Sequence, residues 1–542
     1  MGQPIVTMEA ANLLQTRTLA NARSLQQPVY PAVAGWAMLQ AGKLTTARWN
    51  AALANVEQTQ QKALLDIVNH AADTEFGRKH NFATIRSYAD FAKRVPVGNY
   101  DTFSPYIERM RKGERGLLVP EFIRHFGNSS GSSQEGRQKF LPLGKRQVSH
   151  VRGAGSDIVM RYLVHANETK FLSRFTLALL PPTTMKSDGP VLITSNPALM
   201  VTELPAFAKP IYLPRGEMMT IGDYNVKMRM IAEAYLDHDV GALTGTTCWF
   251  PVLFEAVLRV AAERGRAETT IGEIWPNLRV LIGGGVSAAP YLPLLRRLIG
   301  SDNFTLVDTY NATEGGIYAA SDFSGNPGML MLPHRGTFFE FVPMEERGNA
   351  NPKRVPLWQV EVGQAYSIVV TTSAGLYAYE LGDIVRFTST APHRVEFMGR
   401  TQGCLSVTQE LTTHVEIEQA VAHAISKVAC RTLDFGAAAD VGTEAGGKSR
   451  YVLYAEFDEG AAPASLAEFA EAFDEGLCQA NRVYREHRTG NVAILAPRVV
   501  PLQAGGAKQY LDTVTRGNVQ GKFPRILDES RRAKLAPFIR VD

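Results

Sequence analysis

Val307-Asp308-Thr309-Tyr310-Asn311-Ala312-Thr313-Glu314-Gly315-Gly316-Ile317-Tyr318 lies past the midpoint of a chain of 542 residues. An apolar run ending in a tyrosine leads into a turn of small residues that holds a hydroxyl, a carboxylate and two glycines. A strand end of this kind would present the Thr313 hydroxyl and a metal-binding carboxylate, Glu314, to a polyphosphate. The glycines permit a sharp turn. Taken alone the stretch is only suggestive, so the flanking chain decides its meaning.

The chain is long enough for several domains. Hydrophobic residues make up 45% and charged residues 20%, an ordinary globular composition able to bury a sizeable core. The formal net charge is +4 with scattered basic residues, which indicates neither a nucleic-acid nor a membrane-surface partner. Cys248, Cys404, Cys430 and Cys478 form no C-x-x-C pair and read as reduced thiols. No basic n-region precedes an apolar h-region, and the apolar stretch at 33–39 is too short to span a bilayer. A soluble, cytoplasmic protein is expected.

Residues 1–75 read as helical entry, with a long Gly- and Pro-free helix over 45–70. Ser87 is placed to cap a short helix running to Arg94. From about 117, short apolar runs at 190–194, 278–282 and 304–307 alternate with amphipathic segments, an α/β texture. Residues 330–400 are strand-rich, an antiparallel sheet or a small barrel. The Gly-rich segment 399–404 reads as a hinge. Beyond it a helix (413–428), a strand (451–457), a helix (466–486) and an apolar run (492–500) make an α+β unit.

Gly127-Asn128-Ser129-Ser130-Gly131-Ser132-Ser133-Gln134-Glu135-Gly136 lies between two strand-like runs. Small residues let backbone N–H groups and hydroxyls converge on an anion; the alternative is an ordinary hairpin tip. Gly127–Gly131 also spells G-x-S-x-G, but a nucleophile elbow needs a helix directly afterwards, and Ser and Gly follow instead. Gly442-Thr443-Glu444-Ala445-Gly446-Gly447-Lys448-Ser449 matches a P-loop in letters only, because a β-type run follows where a helix is required. Gly283-Gly284-Gly285 follows an apolar run and is either a tight turn or a crevice for a flat ligand. Asp383, in Tyr379-Glu380-Leu381-Gly382-Asp383, is either a turn residue or an acceptor for ribose hydroxyls. Lys522 sits in a Gly-bounded loop, where a solvated lysine is the usual case. Met228 and Met230 read as core.

In order, these pieces resemble the adenylate-forming superfamily, and within it the Gretchen Hagen acyl-acid amido synthetases, which include the plant auxin-conjugating enzymes. The resemblance rests on T-E-F-G-R-K-H (74–80), S-S-G-S-S (129–133), Y-N-A-T-E-G (310–315), Y-E-L-G-D (379–383), N-x-x-Y (481–484) and G-K-F-P-R (521–525). It implies a large N-terminal adenylate-forming α/β domain over 1–399, with mixed sheets plus a small β-barrel, and a smaller mobile α+β domain over 400–542. It implies ATP and Mg²⁺ as cofactors and small-molecule acid and amine partners. Ser129, Ser130, Gly131, Ser132 and Ser133 would hold the ATP phosphates, and Gly284, Gly285 and Val286 would border the adenine. Tyr310 would lie against the nucleotide, Thr313 would touch the α-phosphate and Glu314 would ligate Mg²⁺. Asp383 would hold the ribose, Arg400 would reach ribose or phosphate, and Lys522 would arrive from the C-terminal domain.

The acyl pocket is less defined. Arg152 either pairs a carboxylate or is a surface charge, and Trp249, in 244–250, is a wall candidate or part of a core strand. Ser132 replaces the family's usual threonine, Gln134 stands where a small residue is common, and Glu380 where the branch often has arginine. The expected activity is ATP-dependent acid–amine ligation. The competing expectations are an acyl-CoA-type ligase with a thiol acceptor and a nucleotide-binding protein without catalysis.

Overall fold

The computed structural model describes residues 18–19, 21–129, 139–222, 224–247, 249–285, 288, 291–346, 349, 351–400, 405, 412–440, 449–481, 484–485, 488, 494–515 and 522–540. The chain divides into one unit of Met1–Leu381 with Val385–Glu396 and a second of Gly382–Ile384 with Phe397–Asp542.

The first unit opens with α1 (Ala32–Ala54) and α2 (Val56–His70). The single helix expected over 45–70 is broken at Asn55, at φ −121° and ψ 48°. The Asn55 side chain donates to the Ala51 carbonyl at 3.0 Å, and such local bonding competes with helix continuation. The Asn residue therefore outweighs the helical pattern around it. In a further helix, α3 (Tyr88–Arg94), Ser87 Oγ accepts from Asp90 N at 3.1 Å, the cap expected from sequence. A longer helix, α4 (Lys145–Ala166), packs on α1. The approach is close because a Cβ at Gly42 would lie 2.9 Å from the Met160 carbonyl oxygen.

The strands are β1 (His125–Ser129), β2 (Lys139–Leu143), β3 (Phe175–Leu179), β4 (Lys186–Asp188), β5 (Val191–Thr194), β6 (Tyr212–Leu213), β7 (Val240–Thr246), β8 (Val280–Gly284), β9 (Thr305–Ala312) and β10 (Gly316–Ala320). They continue with β11 (Met329–Met331), β12 (Thr337–Pro343), β13 (Val355–Pro356), β14 (Ala365–Thr372), β15 (Tyr379–Thr390) and β16 (His393–Arg400). A small sheet has the order β2-β1-β5-β4, and a 12-stranded sheet the order β13-β12-β14-β15-β16-β11-β10-β9-β8-β7-β3-β6. Strands β6, β3, β7, β8 and β9 run parallel. From β10 onward β9–β10, β10–β11 and β11–β16 are antiparallel, so the sheet changes character at the β9–β10 turn. The strand-rich region 330–400 is the antiparallel part of that sheet. Met228 and Met230 are buried in a hydrophobic core cluster with β3, β7 and the helices packed on them, as expected.

After β7, helix α5 (Trp249–Glu263) begins. The strand alternative for 244–250 therefore ends at Thr246, and Trp249 opens a helix, half-buried against that core.

In the second unit, β17 (Thr432–Asp440), β18 (Ser449–Phe457) and β19 (Ile494–Pro501) form a three-stranded sheet covered by α6 (His414–Lys427) and α7 (Leu466–Ala480). Thr413 and Glu416 make a reciprocal capping box at the start of α6. The helix expected to reach 486 stops at Ala480 because Asn481 turns extended. Its Oδ1 accepts from Tyr484 N at 2.9 Å, and its Nδ2 donates to Thr412 Oγ1 and Glu416 Oε2 at 3.3 Å each. The P-loop lookalike joins the antiparallel pair β17 and β18, and no helix follows it.

Candidate active site

The stretch 307–318 forms the end of β9, a turn and the start of β10. Ala312 pairs with Gly316 across it, so Thr313, Glu314 and Gly315 make the turn at the carboxyl edge of the parallel strands. Ligands of open α/β sheets bind at that edge. Thr313 and Glu314 are half-buried. Gly316 sits at φ +101°, and a Cβ there would lie 2.4 Å from Val151 Cγ2 of α4. Both conditions demand glycine. Tyr310 is 7% exposed and its ring meets Tyr318 edge-on at 5.5 Å. The ring therefore packs against Tyr318 at the end of β9, beside the turn.

The neighbouring strand end explains the triple glycine. A Cβ at Gly283 would lie 2.1 Å from Thr247 Oγ1, and one at Gly284 would lie 2.5 Å from Thr309 Oγ1. Side chains of the flanking strands occupy that space, so packing alone requires two of the glycines. Gly285, at φ +76°, is required by conformation. Thr309 Oγ1 donates to Gly283 O at 2.7 Å, and Asn311 Nδ2 donates to Thr309 Oγ1 at 3.1 Å.

The third element is the end of β1. A Cβ at Gly127 would lie 2.9 Å from Thr313 Cγ2, so the start of the Ser/Gly segment lies directly against the T-E-G turn. Ser129 is described as strand backbone, pairing with Lys139. From that pair β1 and β2 run antiparallel, to His125 opposite Leu143. Ser130, Gly131, Ser132, Ser133 and Val286 lie outside the described residues, and Arg400 is described only as backbone at the end of β16.

Two residues that the motifs do not flag also shape the turn. Asp308 accepts from Ala288 N at 3.2 Å and Thr309 N at 3.0 Å, and burial raises its carboxyl to about 6 despite those bonds. An acid within an apolar strand was the available signal. Gln147 of α4 donates from Nε2 to the Gly315 carbonyl, and its Oε1 accepts from Ser373 Oγ at 2.9 Å. A lone glutamine on a helix carries no such signal. Arg152 is exposed and donates to the Glu203 carbonyl oxygen at 3.2 Å.

Asp383 is 4% exposed inside β15, directly after Gly382 at φ +80°. It is a buried strand residue, which corrects both the turn reading and its expected position at a strand start. Lys522 is exposed in the second unit, next to a tightly held segment. Phe523 is buried, Ala437 N donates to Arg525 O and Leu527 N to Ala437 O, both at 2.8 Å. The Arg525 guanidinium lies 4.1 Å from the Phe435 ring centroid and pairs with Glu418 and Asp434. A Cβ at Gly436 would lie 2.3 Å from the Pro524 carbonyl oxygen, which keeps that position glycine.

Among the described residues no helix is long and apolar enough to cross a membrane, and no group of three His, Cys, Asp or Glu is arranged to hold a metal ion.

This fold is that of the adenylate-forming enzymes. A solved 2-hydroxyisobutyryl-CoA ligase in the postadenylation state matches with a TM-score of 0.57 at 15% identity, over 89% of this chain and 93% of that one. A solved GH3.15 acyl acid amido synthetase in complex with 2,4-DB matches with a TM-score of 0.72 at 21% identity, over 95% of this chain and 98% of that one. The chain belongs to the GH3 family: the family's N-terminal domain matches residues 46–236, its central domain 329–400 and its C-terminal domain 415–531. An indole-3-acetic acid-amido synthetase, GH3.8, of Oryza sativa subsp. indica is 27% identical over 87% of this chain and 88% of its own length.

Proposed function

We propose that the chain is an ATP-dependent acid–amino acid ligase, acting in the cytoplasm, that makes an amide bond through an acyl-adenylate. In the first half-reaction a carboxylate oxygen of the acid attacks the α-phosphorus of ATP, and the bond from that phosphorus to the pyrophosphate oxygen breaks. In the second the amine nitrogen attacks the acyl carbon, AMP leaves, and the amine proton passes to solvent.

One observation carries the reading: the T-E-G turn stands at the carboxyl edge of the parallel strands with the end of β1 against Thr313. The approach of Gly127 to Thr313 supports a hydroxyl and a carboxylate working with the Ser/Gly segment, where an anion would be cradled by N–H groups and hydroxyls. Ser129–Ser133 would hold the phosphates, Gly284–Val286 would border the adenine, and Thr313 would donate to the α-phosphate. A single carboxylate suits Mg²⁺, which commonly takes one or two protein oxygens plus substrate phosphates, and Glu314 would supply it. The ion would offset charge as anions approach each other. Asp383 would hold the ribose, with Arg400 reaching ribose or phosphate. Lys522, on a mobile C-terminal domain, would offset charge at the α-phosphate during adenylation. The acyl group would lie near Trp249 and Arg152.

An amine acceptor is supported by the amido synthetases among the relatives, which the chain matches over nearly its whole length. Free thiols at Cys430 and Cys478 and the need for ATP support the cytoplasmic setting. The test is ATP–pyrophosphate exchange across aromatic, aliphatic and hydroxy acids, followed by product formation with amino acids or with coenzyme A. Acid-dependent exchange followed by amide formation is expected. Turnover that needs coenzyme A and ignores every amine overturns the amine acceptor, and exchange with no acid at all overturns adenylation.

A further inference from the structure

The T-E-G turn spans only the three residues between the paired Ala312 and Gly316. Its closing bond, Gly315 N to Ala312 O, is 3.4 Å long, near the limit for a hydrogen bond. Two consecutive glycines, Gly315 and Gly316, give it the widest conformational freedom the chain can have. Yet this turn carries the hydroxyl and the carboxylate on which the proposed chemistry depends.

The constraint comes from outside the turn. Gln147, in the first turn of α4, is 1% exposed. The Gly315 carbonyl can only accept, so the side-chain amide presents Nε2 to it and leaves Oε1 for the Ser373 hydroxyl. Ser373, itself buried, follows β14. A buried amide is costly unless satisfied, and an apolar side chain of similar volume would fill the space without that requirement. What the amide adds is direction. It ties the Gly315–Gly316 peptide, one residue beyond Glu314, to a helix on one side and a strand end on the other.

We infer that Gln147 is a positioning residue of the adenylation site, holding the Gly315 peptide so that Thr313 and Glu314 keep the orientation in which both face the nucleotide. Ser373 sets the orientation of the Gln147 amide. The inference rests on the adenylation reading given above.

The test uses the full chain with Gln147→Met, Gln147→Glu and Ser373→Ala. Gln147→Met keeps the volume and removes both bonds, and small misplacements of reacting groups cost about 10- to 100-fold. The expected result is a loss of that size in the kcat of ATP–pyrophosphate exchange, with an unchanged KM for the acid, a higher Mg²⁺ requirement and a Tm lowered by a few degrees, because the Gly315 carbonyl and Ser373 hydroxyl lose their partner. Gln147→Glu can donate to the Gly315 carbonyl only when protonated, so its activity relative to the unsubstituted protein should rise as pH falls. Ser373→Ala should show a smaller loss of the same kind. Full kcat in Gln147→Met overturns the inference, as does a Gln147→Glu defect that is the same at every pH. Amide hydrogen exchange across 309–318 should quicken in Gln147→Met at matched global stability, and unchanged exchange rates there also overturn it. If the unsubstituted protein shows no acid-dependent exchange, the adenylation reading fails, while hydrogen exchange still decides whether Gln147 holds the turn.

Discussion

The T-E-G turn of the first unit and the K-F-P-R segment of the second solve one problem in different ways. Each carries a polar side chain to which the proposed reading gives a chemical role, and each is held without that side chain being fully buried. The turn relies on sterics and one amide: Gly316 fits against Val151, Gly127 against Thr313, and Gln147 grips the Gly315 carbonyl. The segment relies on burial and charge. Phe523 is buried, Arg525 pairs with Glu418 and Asp434, and two backbone bonds lash the strip to β17. In both regions groups other than the candidate side chain do the holding: Gln147 on the Gly315 carbonyl in the turn, Phe523 and Arg525 beside Lys522 in the segment. Stability and activity should therefore separate between adjacent residues.

The largest separation is expected at Lys522. Lys522→Ala should lower acid-dependent ATP–pyrophosphate exchange by about 10²-fold or more, typical of losing a transition-state charge contact, with thermal unfolding unchanged. Wild-type exchange would remove Lys522 from the comparison. Gly316→Ala should act on structure instead. Strain at φ +101° plus overlap with Val151 should cost about 2–4 kcal/mol by chemical denaturation. A neutral result would mean that the turn has slack.

Asp308 adds a pH axis to the turn side. Its carboxyl is raised to about 6, so the folded state holds that proton where the unfolded chain has lost it. Its contribution to stability is therefore greatest at low pH and falls as pH rises from about 4 to about 6. Relative to Asp308→Asn, the unsubstituted protein should lose about 2–3 kcal/mol across that window, at about 1.4 kcal/mol per pKa unit. Parallel denaturation curves for the two proteins would remove the effect.

On the segment side, Arg525→Met should cost about 2 kcal/mol, the range for charge-assisted hydrogen bonds, and it should lower exchange by loosening Lys522. Lost stability at full activity would separate the holding residue from its lysine. The smallest effect is expected at Thr309→Val, which keeps the shape but removes the 2.7 Å bond to Gly283 O, about 1 kcal/mol in urea midpoints.

Local signals were legible in the sequence. Ser87 announced its helix because a capping hydroxyl acts within four residues, and the P-loop lookalike was rejected because the run after it is a strand. The end of the 45–70 helix at Asn55 was also local, but a helical pattern on both sides masked it. Gly283 and Gly284 show the opposite case: their sequence is plain, yet the reason for them is the side chains of Thr247, just past β7, and Thr309 of β9, which only strand pairing brings near.

By itself, then, the order of short motifs determined the family and the α/β texture, and it proposed Thr313, Glu314, Asp383 and Lys522 as candidates, since each motif is read within a few consecutive residues. Tertiary structure alone decided that Gln147 meets Gly315, that Gly127 meets Thr313, and that Asp383 is buried in a strand. Those facts depend on contacts between segments far apart in the chain, and no local pattern encodes which distant atom will fill a given space.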